Sequence, residues 1–348
     1  MAIDLFDYKN ASIPSDTYHL LSNSQWTHQK VDNFALKFFR LQQFVKEGEK
    51  DKIALFQFIK GRREQPNEQL SYLNPTGNHF GNVNFAKISE QVVSAAKASF
   101  LQIGEPPTFE LKSRLALGLG TASVFETGIT LHHIYGFPYI PSSGIKGAVR
   151  SWMIANLFGN PKKQGFPEQE KNFPLHNAEA RALQDKDFCR IFGCPGMVES
   201  IIFENNEPVF KNREKKVYKT APIQVALRKT GEPQKGQEHQ GNVIFLDAFP
   251  VSAPLMKEDI MNPHYPDYYT GDSAPTDFQS PRPIPFMTVE KGSKFKFLLA
   301  CNENLISETI DPGKSLLEIT QFWLKKTLEE HGLGAKTAVG YGYFKETS

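Results

Sequence analysis

The sequence predicts an α+β chain, a helical stretch followed by a domain of alternating strands and helices. Three observations predict it. Apolar residues in the first hundred positions recur at helical spacing, the spacing changes to period two after Pro107, and two further amphipathic helical segments interrupt the strands that follow. The chain has 348 residues, 40% of them hydrophobic and 22% charged, a composition of ordinary globular proteins and not of disordered or fibrous ones. That length accommodates two domains or one elaborated domain. Its 28 Phe, 25 Gly and 23 Pro point to core or stacking aromatics and many irregular connections.

In DNFALKFFRLQQFVK, Phe34, Phe38, Leu41 and Val45 recur at i, i+4, i+7 and i+11 with Asp32 placed as N-cap, so a helix is expected. The apolar residues of DKIALFQFIKGRR are too dense to assign, and Pro66 to Gly81 carries loop signals in NPTG and NHFGN. A second helix is expected from about Lys87 to Leu101. The Gly104-Glu-Pro-Pro run then removes backbone donors and fixes φ, which places a boundary there: residues 1–107 as a helical N-terminal extension and 108–348 as the second unit.

Beyond Pro107, FELKSRLALGLG alternates, and VFETGITLHHIYGFPYI continues with β-branched and aromatic residues, so His132 and His133 are expected on a strand, one pointing inward. A helix is expected from about Ser143 to Phe158, with Ser142 or Ser143 as cap and Ile145, Val149, Trp152 and Ile154 as its apolar face. Another is expected in HNAEARALQDKDFCRIF. Residues 205–240 read as an exposed basic insertion, eight basic against four acidic residues. GNVIFLDAFPV reads as a buried strand, and Ser252 to Pro285 as a long irregular piece. PFMTVEKGSKFKFLLAC has the pattern of a hairpin turning at Lys-Gly-Ser. SLLEITQFWLKKTLEEHG is an amphipathic helix stopped by Gly332, with Leu316, Ile319, Phe322 or Trp323, and Leu328 facing inward. Strand, helix, strand, strand, helix, strand is the ferredoxin-like (RRM-like) order, here with loop insertions, and that fold hosts RNA-binding modules as well as enzymes.

Two segments stand out chemically. The terminal loop GLGAKTAVGYG carries Gly332, Gly334, Gly340 and Gly342, which let backbone approach a ligand and turn N–H groups toward phosphate oxygens, while Lys336 and Thr337 add a charge and a hydroxyl. Its plainer reading is a helix C-cap followed by a tight turn. It lacks the G-K-[ST] of a Walker A loop and follows a helix, unlike a Rossmann loop. The second segment, YIPSSGIKGAVR, opens a helix. Ser142, Ser143 and Gly144 with the first-turn N–H groups suit an anion, and Lys146 and Arg150 lie one turn apart. The plainer reading has Ser capping the helix and Gly147 packing on the sheet. Together the two segments suggest a shared polyanion groove.

The runs GLGTASVFETGITLHHIYGFPYIPSSGIKGAVR, GNVIFLDAFPV, DIMNPHYPDYY, PIPFMTVEKGSKFKF and GLGAKTAVGYGYF, in this order over roughly residues 111 to 346, resemble the RAMP superfamily. More narrowly they resemble the branch that supplies the sixth subunit of type III-B CRISPR Cmr effector complexes. The resemblance implies an RRM-like core, a backbone position in a ribonucleoprotein and contact with guide (CRISPR) RNA toward its 3′ portion. It also implies target RNA and other Cmr backbone subunits as partners, no nuclease activity and no cofactor. By motif it assigns RNA contact to Ser142, Ser143, Lys146, Arg150, Gly334, Lys336, Thr337 and Gly340.

Some RAMP relatives are metal-independent endoribonucleases that use histidine, so His132 and His133, with Tyr135 near and Lys146 downstream, form the competing catalytic reading, processing of CRISPR repeat RNA. The simpler expectation for His132 is a strand histidine that is hydrogen-bonded locally or touches an RNA base or phosphate. For metal, Cys189 and Cys194, or Asp247, Asp259 and His264, are the candidates, but no ligand spacing is completed and the Asp259 segment reads equally as a turn; no metal site is expected. The basic insertion could lie along RNA or a neighbouring subunit, with Phe210 and Tyr218 to stack, or be a solvated loop. Net charge is only +2, so any basic surface must be local. No apolar run spans a membrane, no signal peptide opens the chain and the three cysteines make no disulfide framework, so a cytoplasmic place is expected.

Overall fold

The computed structural model describes residues 33–35, 44–47, 50–53, 80, 83–100, 102–121, 127–159, 178, 182, 185–194, 201–204, 207–211, 217–219, 239–262, 274 and 284–347. The elements in the first half are β1 (Phe44–Glu47), β2 (Lys50–Ile53), α1 (Phe85–Ser99), β3 (Gln102–Ile103), β4 (Thr108–Leu111), α2 (Ser142–Met153) and α3 (Lys186–Phe192). Short strands follow: β5 (Gly193–Cys194), β6 (Ile201–Glu204), β7 (Glu207–Lys211), β8 (Val217–Lys219) and β9 (His239–Gln240). The last part holds β10 (Val243–Phe245), β11 (Phe249–Pro250), β12 (Met256–Met261), β13 (Ile284–Val289), β14 (Lys294–Lys296), β15 (Leu299–Cys301), α4 (Leu316–Lys326) and β16 (Phe344–Glu346). The chain is α+β.

The period-two pattern after Pro107 becomes β4, whose residues alternate half-buried and buried. β4 lies between β14 and β16, and β11 borders β14, giving the order β11-β14-β4-β16 with every pair antiparallel. α2 connects β4 toward β11, and α4 connects β14 toward β16, so by chain order the four strands lie second, third, first, fourth. The run from β3 to β4 is interrupted at Gly104–Pro107, where the prolines lack donors. Hydrogen bonding nevertheless crosses the interruption, from Gly104 N–H to Leu299 O (3.0 Å) and from Phe297 N–H to Pro107 O (3.1 Å). β10, β15 and β3 continue the same strand runs as a three-stranded antiparallel sheet.

One face of the sheet carries Phe109, Leu111, Phe295 and Phe344, all at most 1% exposed. Ile145, Val149 and Met153 of α2 share this core with Leu316, Ile319 and Leu324 of α4, each side chain contributing ~1.5–3 kcal/mol on burial. Phe297 meets Phe109 and Phe344 edge-on at 5.7 and 5.6 Å. A capping box opens α4: Ser315 accepts from Glu318 N–H, and Glu318 accepts from Ser315 N–H. Both helices end in a single π turn, Ile154–Phe158 and Thr327–His331. On the opposite face α1 lies against β11 and β3. Asn84 caps α1, and Phe85 joins Phe80 (6.0 Å) and Phe137 (5.3 Å).

Asp187 in α3 staples a distant loop. Fully buried, its Oδ2 accepts from Ser307 Oγ (2.7 Å), the Thr309 hydroxyl (3.0 Å) and the N–H groups of Glu308, Thr309 and Ile310 (2.8, 2.7 and 3.2 Å). Burial alone would raise this carboxyl, but the converging donors win and bring its pKa down to about 2.

Several expectations are corrected. Phe44–Glu47 pairs with Lys50–Ile53 as a hairpin, so Val45 is not the last position of a helix; Phe34 is helical, and residues 36–43 lie outside the described residues. Within the expected irregular piece, Met256–Met261 forms a strand on Ile284–Val289, and Asp259 therefore sits opposite Phe286 and not in a turn. The Lys291-Gly292 turn exists, but its arms separate: β13 pairs with β12, and β14 with β4 and β11. The insertion contains β7 and β8, which pair with each other and, through β7, with β6; its remaining basic positions and His264 lie outside the described residues.

Candidate nucleic-acid interface

The terminal loop follows from its glycines. Gly332, Gly334, Gly340 and Gly342 all have positive φ, 78°, 87°, 97° and 76°. At Gly334 a Cβ would strike the Ala116 carbonyl, and at Gly342 the Leu333 carbonyl. The close approach serves three hydrogen bonds: Ala335 N–H to Ala116 O (2.8 Å), Gly342 N–H to Arg114 O (2.8 Å) and Leu333 N–H to Gly342 O (2.9 Å). Lys336 is the one non-glycine in the left-handed region among the described residues, at φ 63°. Its Nζ lies 5.3 Å from the centre of the Phe286 ring and 4.0 Å from Met261 Sδ. Thr337–Val339 form one 3-10 turn, and Ala338, Val339 and Gly340 are exposed. Among the described residues no hydrogen bond uses the N–H groups of Gly334, Lys336, Thr337 or Ala338.

A charged network anchors the loop. Arg114 pairs with Asp259 (2.5 Å) and Glu290 (3.1 Å), Lys257 adds a contact to Glu290 (3.4 Å), and the Tyr341 hydroxyl donates to Asp259 (2.6 Å). Burial pushes the Asp259 carboxyl up, but the donors Tyr341, Ile260 N–H and Arg114 outweigh it and hold the group below its ordinary value. Burial, with the Asp259 carboxylate as acceptor, pushes the Tyr341 phenol up to about 12.

At the start of α2 the N-cap is Pro141, in extended conformation, whose own side chain makes no capping bond. Ser142 and Ser143 are already inside the first turn, so neither is the cap that the sequence suggests. Asp247 supplies the acceptor instead, taking the Ser142 N–H at 2.6 Å and placing a carboxylate at the positive end of the helix. Ser143, Gly144 and Gly147 are exposed, and a Cβ on either glycine would meet nothing within 4 Å, so Gly147 does not pack on the sheet. Lys146 is half-buried; burial and the neighbouring Arg150 lower its pKa. The Arg150 guanidinium lies 5.6 Å from the centre of the Phe188 ring.

His132 and His133 open a turn and are not on a strand: Gly136 N–H returns to His132 O (2.7 Å), and His132 Nδ1 accepts from Ile134 and Tyr135 N–H (3.3 Å each). Gly136, at φ 75°, closes the turn. Burial, then His133, lowers the His132 pKa and favours the neutral ring. Its ring meets His133 (5.0 Å), Tyr135 (4.8 Å), Phe137 (5.7 Å), Tyr139 (5.4 Å) and Phe249 (5.5 Å).

The antiparallel order puts the end of α4, the terminal loop and the β12–β13 hairpin at the end of the sheet where β4 finishes, whereas the Ser142–Asp247 bond and the Ile140–Ala248 bridge hold the start of α2 at the other end, where β11 begins. Among the described residues no hydrogen bond, ion pair or ring contact joins Ser142, Ser143, Lys146, Arg150 and His132 to Gly334, Lys336, Thr337 and Gly340, so the structure does not bring the two segments together at one end of the sheet. Neither Lys146 nor Lys336 forms an ion pair with a described residue. Arg114 and Tyr341 were not singled out from the sequence; the charge of Arg114 inside an otherwise alternating apolar strand is the signal that points to it. Among the described residues no group of three metal-ligating side chains comes together, and no helix is long and apolar enough to cross a membrane.

The RAMP superfamily model matches residues 108–345, from the first residue of β4 to the last strand. This chain belongs to the RAMP superfamily. Within it, the chain is similar to the CRISPR system Cmr subunit Cmr6 of Pyrococcus furiosus, 32% identical over 262 residues, 68% of this chain and 66% of that protein. It is similar also to the Cmr6 subunit of Saccharolobus solfataricus, 23% identical over 239 residues, 67% of this chain and 55% of that protein. The match therefore spans just under two thirds and just over half of these relatives' lengths. Among solved structures, a chain of the Type III-B Cmr-beta complex bound to cognate target RNA matches with a TM-score of 0.44 at 19% identity, covering 86% of this RAMP chain and 82% of that one. Crystalline Cmr6 from Pyrococcus furiosus matches with a TM-score of 0.35 at 28% identity, covering 71% of this chain and all of that one.

Proposed function

We propose that this RAMP protein is a non-catalytic, cytoplasmic RNA-binding backbone subunit of a type III-B CRISPR ribonucleoprotein, holding guide RNA toward its 3′ portion while the guide pairs with target RNA. The observation that carries the reading is the 32% identity to a Cmr6 subunit over 262 residues. The strand order second, third, first, fourth, with α2 and α4 packed on one face, supports a ferredoxin-like core on residues 108–348, and residues 1–107 are proposed as its N-terminal extension. Phosphates would meet the open side of α2 at Ser143 and Gly144, the loop N–H groups of Gly334, Lys336 and Thr337, and the charges of Lys146, Arg150 and Lys336. Such contacts position a backbone without reading its bases. The Asp247 carboxylate occupies the Ser142 N–H, so Ser142 serves through its hydroxyl at most. His132 suits contact better than proton transfer, since Nδ1 is engaged by two backbone N–H groups.

The test is purification of the tagged chain from its native cells with sequencing of the bound RNA and identification of the bound proteins. Mature guide RNA with several Cmr subunits is the expected result. Precursor repeats cut at one position, with cleavage in EDTA lost in His132→Ala or His133→Ala, would replace this reading with the endoribonuclease.

A further inference from the structure

The sheet face opposite α2 and α4 is not uniformly closed. Where α1 ends its cover, the rings of His132, His133, Tyr135, Tyr139 and Phe249 gather, each at least partly exposed. His133 lies on His132 at 5.0 Å and 15°, Tyr135 lies beside His132 at 4.8 Å and 28°, and buried Phe137 closes a triangle with both, parallel to Tyr135 at 5.4 Å and 4° and 5.7 Å from His132. Tyr139 and Phe249 stand against the side of the His132 ring at 73° and 81°, fixing its orientation. His133, the outermost member, is exposed.

A protein partner's aliphatic side chains would favour a flat apolar patch. An exposed imidazole lying at 15° to a ring of an aromatic cluster instead offers a flat π face to another planar ring. The charge beside it agrees with a nucleotide. Lys296 pairs with Phe249 across β11 and β14, so both project from the same sheet face, and Lys296 forms no ion pair with a described residue.

We infer that His133, stacked on His132, is the platform for an unpaired RNA base, with Lys296 taking a neighbouring phosphate. This deepens the RNA-binding reading above and rests on it. Aromatic stacking is tolerant of base identity because every base has a π face, so the site would hold one splayed nucleotide of any sequence.

The experiment uses the full chain and two fluorescent single-stranded RNAs of equal length, one with all bases and one with abasic riboses throughout. His133 is exposed, so His133→Ala keeps the fold, and His133→Trp restores a stacking face. The expected result is a roughly tenfold loss of affinity for the base-bearing RNA in His133→Ala, recovery in His133→Trp and no change for the abasic RNA. Lys296→Ala should weaken both RNAs alike. Equal loss on both RNAs in His133→Ala, or no loss on either as expected if the rings dock a protein, overturns the platform and leaves the RNA-binding reading standing. Failure of the wild-type chain to bind either RNA at low salt overturns that reading and the platform with it.

Discussion

Lys336→Ala and Lys336→Gly separate what the side chain contributes from what the backbone costs. The side chain lies over the Phe286 ring at 5.3 Å, a half-buried contact of ~0.5–1 kcal/mol, and both variants lose it. The backbone sits at φ 63°, where an L residue is strained by ~1–2 kcal/mol and glycine is not. Against this, glycine has ~0.5–1 kcal/mol more unfolded-state entropy to lose than alanine. The difference leaves glycine about 0.5–1 kcal/mol more stable than alanine at this position, the reverse of the usual order. Relative to wild type, alanine should be clearly destabilised and glycine close to neutral. Urea unfolding with comparison of midpoints at constant m reads this directly. Alanine equal to or above glycine would refute the reasoning, because it would mean the loop does not hold residue 336 left-handed. RNA affinity gives an independent readout: both variants remove the same charge and should weaken binding equally.

Asp187 contributes stability with a defined pH window. Its folded pKa of about 2 lies below the unfolded value, so the contribution is complete above ~pH 4 and is lost as pH falls toward 2; the shift corresponds to about 2 kcal/mol. In Asp187→Asn, acid unfolding should lose that part of its pH dependence, measured as the change in unfolding midpoint between neutral and acid buffer. Asp247→Ala removes the acceptor of the Ser142 N–H and should cost ~1 kcal/mol in thermal unfolding, whereas a hydroxyl cap at Ser142 would make it neutral. Tyr341→Phe leaves Asp259 with one donor fewer and should destabilise the chain by ~1–2 kcal/mol; an unchanged melting curve would remove this bond from the loop's anchorage.

How much of this could be read from the sequence depends on distance along the chain. The terminal helix was legible because Leu316, Ile319 and Leu328 repeat within three turns and Ser315 with Glu318 writes the capping box locally. The loop was legible through its four glycines, each needed at a positive φ. Ser142 misled because its acceptor, Asp247, lies 105 residues away, and a serine before a helical run looks like a cap until that partner is known. The strand Met256–Met261 reads as charged and irregular because only pairing with Ile284–Val289 makes it a strand. Val45 satisfied a helical period, but Phe44–Glu47 is short and close to its partner Lys50–Ile53, so hairpin pairing overrides the spacing. His132 and His133 followed β-branched residues, yet Gly136, four residues after His132, turns the chain back instead.

The measurement that bears most directly on the account is the salt dependence of RNA binding by the wild-type chain and by Lys146→Ala with Lys336→Ala, on two RNAs of unrelated sequence. If phosphates are held by Lys146 and Lys336, both RNAs bind wild type alike, and the double variant weakens both equally and flattens the slope of log K against log salt by ~1.4. An unchanged slope, or a loss confined to one of the two sequences, would contradict it.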